Sequence, residues 1–211
     1  MPCHSCQREA GPGPLCVACG AVQPLRPQAS LFDVLGLPTT FFLDEKLLED
    51  RFKDLNRKLH PDRFAQKDAR ERRLSLEWTT AVNDAYRTLR EPPRRAAYLL
   101  KAHGVDVEKE SGQSATQRLP PDFLETVLED REALAEARAG KDLPRVRELG
   151  KAIAVRSAGV LEELTRTLRE FESTGASARA LLEKAGEKLA VLKYYGRFAE
   201  EVEAIEMEAL E

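Results

Sequence analysis

Arg57-Lys58-Leu59-His60-Pro61-Asp62-Arg63-Phe64 is the stretch on which the fold of this chain turns. A charged amphipathic segment, Asp44 to Leu59, runs into it, and another, Lys67 to Arg90, runs out of it. Pro61 has no N–H and its ring clashes with the preceding turn, so no helix passes through it. His60-Pro61-Asp62 must therefore lie in an exposed loop held between two helices, which is where recognition signals are commonly placed. Three residues alone describe no more than a turn, and the flanking pattern is what gives them meaning.

Upstream, Ser30 is placed to cap a short helix, Leu31 to Gly36, stopped by Gly36 and Pro38. Asp44 caps the next helix, and Glu45 suits its positive end. Leu47, Leu48, Phe52, Leu55 and Leu59 recur at three-to-four-residue spacing and form a buried stripe. Lys46, Lys53 and Arg57 line the outer face and lead toward the loop. Downstream, Leu74, Trp78, Ala81, Val82, Ala85 and Leu89 make a second stripe that can pack antiparallel on the first, with Trp78 read as core. Pro92-Pro93 break the chain, and Ala96 to Leu100 form a further short helix ended by His103-Gly104.

The chain has 211 residues, 33% of them charged and 6% aromatic, a balance that reads as all-α with long exposed helix faces. The net charge of −3 is uneven: residues 30–104 hold 15 basic and 12 acidic side chains, residues 105–211 hold 16 and 23. A mildly basic middle and an acidic tail suit two binding surfaces of opposite sign. Neither is basic enough to make nucleic acid the main partner. No stretch approaches the roughly 20 apolar residues of a membrane span. The start, Met1 to Cys6, lacks the basic and apolar regions of a secretion signal, so a soluble protein of the bacterial cytoplasm is expected. The mitochondrial matrix is the alternative if a transit segment was removed. No glycine-rich phosphate loop and no internal repeat is visible.

All four cysteines fall in the first 19 residues, as Cys3-x2-Cys6 and Cys16-x2-Cys19 separated by nine residues. Two such pairs can present four thiolates to one tetrahedral ion, with Gly11, Gly13 and Gly20 supplying the bends. The segment has almost no apolar residues, so a metal would have to organise it. Disulfides do not suit a cytoplasmic chain, and a thioredoxin-type site would need a strand before the pair and a helix after it. A structural metal is expected, zinc ahead of iron. Four thiolates close the coordination sphere, which leaves His4 facing solvent and no open position for catalysis. Residues 1–29 are thus a metal-binding module and linker, with Ala21 to Ala29 as the linker, and 30–104 the next domain.

Val105 to Pro121 reads as a polar linker. In residues 122–211, Asp122 is placed to cap a helix holding Phe123, Leu124, Val127, Leu128 and Leu134, ended by Gly140. Asp142 caps a second, with Pro144 in its first turn, and Ser173-Thr174-Gly175 turn the chain into a third. The stripes predict a three-helix bundle: two long antiparallel helices with the first lying across them. Leu124 and Leu128 are four apart, with Glu129, Glu132 and Glu136 on an adjacent strip. If exposed they are an interface anchor with an acidic rim, and if buried they are bundle core.

The middle domain resembles a J-domain: a short helix, a basic helix, His60-Pro61-Asp62 and a returning helix with Asn83-Asp84-Ala85-Tyr86. Leu31-Phe32-Asp33-Val34-Leu35-Gly36-Leu37, Phe52-x-Asp54-Leu55, His60 to Phe64, Asn83 to Leu89 and Arg95 to Gly104 together resemble the HscB type, the J-protein co-chaperones of iron–sulfur cluster biogenesis. The resemblance implies that the chain binds a DnaK-class (HscA-type) chaperone through His60, Pro61 and Asp62, with Lys46, Lys53, Arg57, Lys58 and Arg63 meeting an acidic surface. It implies that the tail holds the cluster scaffold IscU through Leu124, Leu128, Glu129, Glu132, Glu136 and Tyr194. Glu125 departs from the family, which often has an apolar residue there. The module with Cys3, Cys6, Cys16 and Cys19 occurs in only some members. On this reading the protein is no enzyme but a co-chaperone that stimulates a partner's ATP hydrolysis.

The rivals are a J-protein serving other clients and a redox protein built on the four cysteines. A His60/Asp62 catalytic dyad is disfavoured because no nucleophile or orienting third group accompanies it. Weak self-association into a homo-oligomer is left open.

Overall fold

The computed structural model describes residues 2–107, 119–121, 123–174 and 179–209, and the chain divides into two compact units, Met1–Arg95 and Ala96–Glu211. The described residues form seven α-helices and no strand beyond two isolated antiparallel bridges. None of these helices is long and apolar enough to cross a membrane.

In the first unit, α1 (Leu31–Leu35) begins with a capping box in which Ser30 and Asp33 satisfy each other's backbone N–H, and it ends at Gly36 in the left-handed conformation. Asp44 accepts from the N–H groups of Lys46 and Leu47 and starts α2 (Glu45–Leu59). Helix α3 (Ala69–Arg90) returns from its N-cap Asp68 and packs along both α1 and α2. The stripes expected of α2 and α3 face this core, apart from Leu47, which is exposed. Phe52 and Tyr86 stack across the α2–α3 seam with ring centroids 3.9 Å apart.

The double proline does not interrupt the chain as expected. It opens α4 (Pro92–Ala102), because the missing N–H of a proline costs nothing in the first helical turn. Leu89 at the end of α3 would give its carbonyl to the N–H of residue 93, which proline lacks. The Arg95 guanidinium, itself buried, donates to that carbonyl at 2.5 Å and lies 5.0 Å over the Phe41 ring.

The second unit holds the remainder of α4, then α5 (Phe123–Ala139), α6 (Leu143–Thr174) and α7 (Arg179–Glu208). Most of the expected linker, residues 108–118, lies outside the described residues, as do the expected cap Asp122 and Gly175. Asp142 accepts from the Arg145 N–H and starts α6. Arg147–Glu206 and Glu163–Lys188 pair in descending register, so α6 and α7 are antiparallel. Arg131–Glu201 and Arg138–Glu208 pair in ascending register. Helix α5 therefore lies along α7 and parallel to it, instead of crossing the pair. The core is formed by Leu134, Val146, Leu149, Ile153, Tyr195, Phe198, Val202 and Ile205. One ion pair enters it: Arg156 donates to Asp130 at 2.7 Å, and Asp130 is 8% exposed.

Candidate functional site

The loop after α2 is built by replacing the hydrogen bonds that Pro61 removes. Arg57 would give its carbonyl to the N–H of residue 61, and the Arg63 guanidinium donates to it instead at 3.1 Å. Leu59 would give its carbonyl to the Arg63 N–H, but that N–H is taken by His60 O in the 3-10 turn Pro61–Phe64. Two hydroxyls of α3 fill the vacancy: Ser75 donates to Leu59 O at 2.7 Å and Thr79 at 3.1 Å. Leu59 and Phe64 are buried on either side. Between these anchors the side chains of His60 and Asp62 stand 52% and 90% exposed. His60 Nδ1 lies 3.3 Å from the Asp62 N–H and 3.4 Å from its carboxylate. The ring nitrogen is thus placed to accept from that amide. The tripeptide is thus anchored at both ends and faces outward.

Lys46, Lys53, Arg57 and Lys58 are exposed on α2, as expected. Lys53 pairs with Glu49 at 2.7 Å, and Asp54 receives Lys58 at 2.7 Å and Arg57 at 3.0 Å. Lys58, followed by Arg57, holds the Asp54 carboxyl below the ordinary carboxylate range. On this face Lys53, Arg57 and Lys58 are held in side-chain pairs. Arg63 differs from the others, since its guanidinium is turned back onto the end of α2.

The four cysteine sulfurs lie within 4.8 Å of one another, with Cys3–Cys19 at 3.7 Å and Cys6–Cys16 at 3.8 Å. A tetrahedron with metal–sulfur bonds of about 2.3 Å has sulfur–sulfur edges of about 3.8 Å, so the donor set fits one ion. The two pairs are structural repeats offset by 13 residues, a symmetry the residue types conceal. Cys3 N–H donates to Arg8 O and Cys16 N–H to Ala21 O, while Gln7 N–H returns to Cys3 O and Gly20 N–H to Cys16 O. Gln7 (φ 62°) and Gly20 (φ 73°) both adopt the left-handed conformation that closes each knuckle. Ser5 and Ala18 N–H groups point at the first sulfur of each pair, at 3.3 and 3.4 Å. The Cys6 N–H pulls Cys3 down to about 6. The Ala21 N–H acts in the same sense on Cys19, but burial and the other three sulfurs push it up to about 11. A cation at the centre would offset the mutual repulsion of four thiolates.

Two expectations around this module need correction. His4 is partly buried, and its Nε2–H donates to Val22 O at 2.7 Å. The presumed linker begins later, because Ala21, Val22 and Gln23 are buried and fixed. Gln23 Nε2 donates to Cys3 Sγ at 3.3 Å, and Trp78 Nε1 donates to Gln23 O at 2.7 Å. Trp78 is core, as read, but its indole N–H also docks the module on α3.

Helix α5 carries apolar residues on two faces. Phe123, Val127, Leu134 and Ala137 turn to the bundle. Leu124 and Leu128 are 37% and 63% exposed, beside exposed Glu125, Glu129, Glu132 and Glu136. An exposed leucine pair with an acidic rim is thus present. Tyr194 departs from the expected patch, being 9% exposed. Its ring meets Phe123 edge-on and its hydroxyl lies 3.5 Å from Val127 O and Asp130, beneath α5. Burial, then the Asp130 carboxylate, push its hydroxyl up to about 12.

Comparison with known proteins completes the description. A family model described as the HSCB C-terminal oligomerisation domain matches residues 119–203. The co-chaperone protein HscB homolog of Aromatoleum aromaticum is 38% identical over 151 residues, which are 72% of this chain and 83% of that protein. The iron-sulfur cluster co-chaperone protein HscB of Mus musculus is 32% identical over 210 residues, 95% of this chain and 80% of that one. The crystal structure of human co-chaperone protein HscB superposes with a TM-score of 0.83 at 26% identity, covering 99% of this chain and all of the other.

Proposed function

This chain belongs to the HscB family of co-chaperones, and from that premise we propose that it carries an IscU-type iron–sulfur scaffold to a DnaK-class (HscA-type) chaperone and triggers that chaperone's ATP hydrolysis. The observation that carries the scaffold half is Leu128, a large apolar side chain 63% exposed among glutamates, with Leu124 exposed one turn before it on the same helix. Leu124 and Leu128 anchor the scaffold, and Glu129, Glu132 and Glu136 steer its basic groups. Tyr194 acts through α5, supporting it from below. The chaperone half rests on His60-Pro61-Asp62, held outward by Ser75, Thr79 and Arg63. Lys46, Lys53, Arg57 and Lys58 supply the attraction to an acidic surface, which makes that contact salt-sensitive. Carrying both sites on one chain raises the effective concentration of scaffold at the chaperone.

The four cysteines hold a structural zinc ion. That ion would supply the cross-link that folds the knuckles, and Cys3, Cys6, Cys16 and Cys19 would leave it no open position for catalysis. The setting we propose is the bacterial cytoplasm.

Single-turnover ATP hydrolysis by the chaperone tests the reading, with this protein, with scaffold, with both, and with His60→Gln. Synergy of protein and scaffold that disappears in the variant is expected. Stimulation without synergy would leave a J-protein for other clients, and no stimulation would overturn the reading altogether.

A further inference from the structure

The sequence Ala21-Val22-Gln23 touches two things at once. Toward the knuckles, Gln23 Nε2 donates to Cys3 Sγ at 3.3 Å and to Ala21 O at 2.8 Å, so both N–H bonds of its amide are used. Toward the J-domain, Gln23 O accepts the Trp78 indole N–H at 2.7 Å, and the fully buried Val22 turns its N–H to Glu71 at 3.4 Å. Glu71 and Trp78 lie two turns apart on α3. The same helix presents Ser75 and Thr79 to the Leu59 carbonyl, where the His60 loop begins.

We propose that Gln23 clamps the metal centre to α3, so that the ion stabilises the J-domain and Trp78 senses its presence. This rests on reading the four cysteines as a metal site. An N–H bond to a metal-bound thiolate is charge-assisted and stronger than one to a neutral thiol. Such outer partners orient ligands and hold the site's geometry. The module has little else to keep it closed: its own core is Cys3, Ala10, Cys16 and Ala21, with Cys6 packed against them. When the ion leaves, the knuckles lose their cross-link and the Ala21–Gln23 segment loosens. Trp78 then loses a buried acceptor, and its N–H must find water. Linkage makes the effect reciprocal: whatever the ion adds to α3, α3 adds to metal affinity. Gln23 and Trp78 are therefore positioning residues of the metal site, one of them on a helix that contributes no ligand.

Trp78 is the single tryptophan of the chain, so its emission is a site-specific reporter. The full chain, loaded with zinc, is stripped with a chelator and then titrated with zinc ion. Trp78 emission is expected to move to longer wavelength on stripping and to return at one equivalent. Gln23→Ala, which keeps the backbone carbonyl and removes the amide, is expected to weaken zinc by about ten- to a hundredfold in competition with the chelator. Trp78→Phe is expected to weaken it by about fivefold or more, although residue 78 touches no sulfur. A chain that takes up no zinc would overturn the metal reading, and the clamp with it. A chain that binds one zinc while Trp78 emission stays unchanged on its removal, with Trp78→Phe holding zinc as tightly as the parent, would overturn the clamp alone.

Discussion

The carbonyl of Leu59 offers a quantitative test of how the His60 loop is held. It has two donors, the fully buried Ser75 at 2.7 Å and the half-buried Thr79 at 3.1 Å. Its helical partner, the Arg63 N–H, is engaged with His60 O. Ser75→Ala removes one donor and leaves the other, in a site where the lost oxygen creates almost no cavity. The expected cost is that of one net hydrogen bond, about 0.5–1.5 kcal/mol. Thr79→Val is nearly isosteric and leaves Ser75, so it should cost a similar amount or less. The double variant is different in kind, because a buried carbonyl is then left with no donor. That adds a desolvation penalty of about 1–3 kcal/mol, so the two substitutions should couple by roughly 1 kcal/mol or more beyond additivity. Urea unfolding of the zinc-loaded chain, followed by Trp78 emission, reports the first unit alone. The midpoints should fall in the order parent, singles, double, with the slope unchanged. The double should also stimulate the chaperone less than its folded fraction accounts for, because His60 is no longer aimed. Strict additivity of the two substitutions would refute the claim that they serve one orphaned carbonyl. A double variant as stimulatory as the parent, once corrected for folding, would refute the claim that this carbonyl positions the loop.

Three further outcomes follow from the bundle. Leu128→Ala should weaken scaffold binding about tenfold or more while changing the bundle's stability by less than about 0.5 kcal/mol, measured by calorimetry of binding and by thermal melting. Arg156→Ala should destabilise the bundle by roughly 2–3 kcal/mol in denaturant unfolding, because it leaves the Asp130 carboxylate buried, and adding Asp130→Asn should recover much of that loss. Tyr194 is held neutral to about 12 in the folded state against an ordinary value of 10, so it makes no pH-dependent contribution below pH 10, and stability is lost as pH rises from 10 toward 12; Tyr194→Phe should flatten that part of the stability profile, a change on the order of 1–2 kcal/mol.

The helices were legible because their signals are local. Ser30, Asp44 and Asp142 satisfy N–H groups within three residues of themselves, so each can be read from its neighbours. The exposure of Leu128 was not legible, since helical spacing on α5 serves an inner and an outer face equally well. Only the placement of α5 along α7 decides which leucines face water. The 13-residue knuckle repeat is hidden in the sequence for a related reason. Its equivalence lies in backbone hydrogen bonds and in a left-handed residue that is Gln at position 7 and Gly at position 20. Gln23 and Trp78, 55 residues apart, meet only in the fold. No periodicity announces such a pair, and a glutamine in a proline-containing stretch reads as linker.

Arg63 shows how charge alone can mislead and how backbone accounting corrects it. Its position in a basic stretch marks it for an acidic partner. Pro61, however, removes the N–H that Arg57 O needs, and the nearest long donor with the reach to replace it is the arginine two residues on. The same arrangement recurs at Leu89 O, Pro93 and Arg95. In both cases a helix ends, a proline stands four residues past the abandoned carbonyl, and an arginine stands six past it. The geometry explains the spacing: an extended guanidinium folding back over one turn spans that gap, and its several donors tolerate the irregular backbone at a helix end. The rule is readable from sequence once every carbonyl is asked for its donor. At Arg63 it reassigns the guanidinium from the partner's surface to the architecture of the loop. On the function proposed above, an acidic chaperone surface would be met by the α2 side chains Lys46, Lys53, Arg57 and Lys58, while Arg63 holds the end of α2 from which His60 projects.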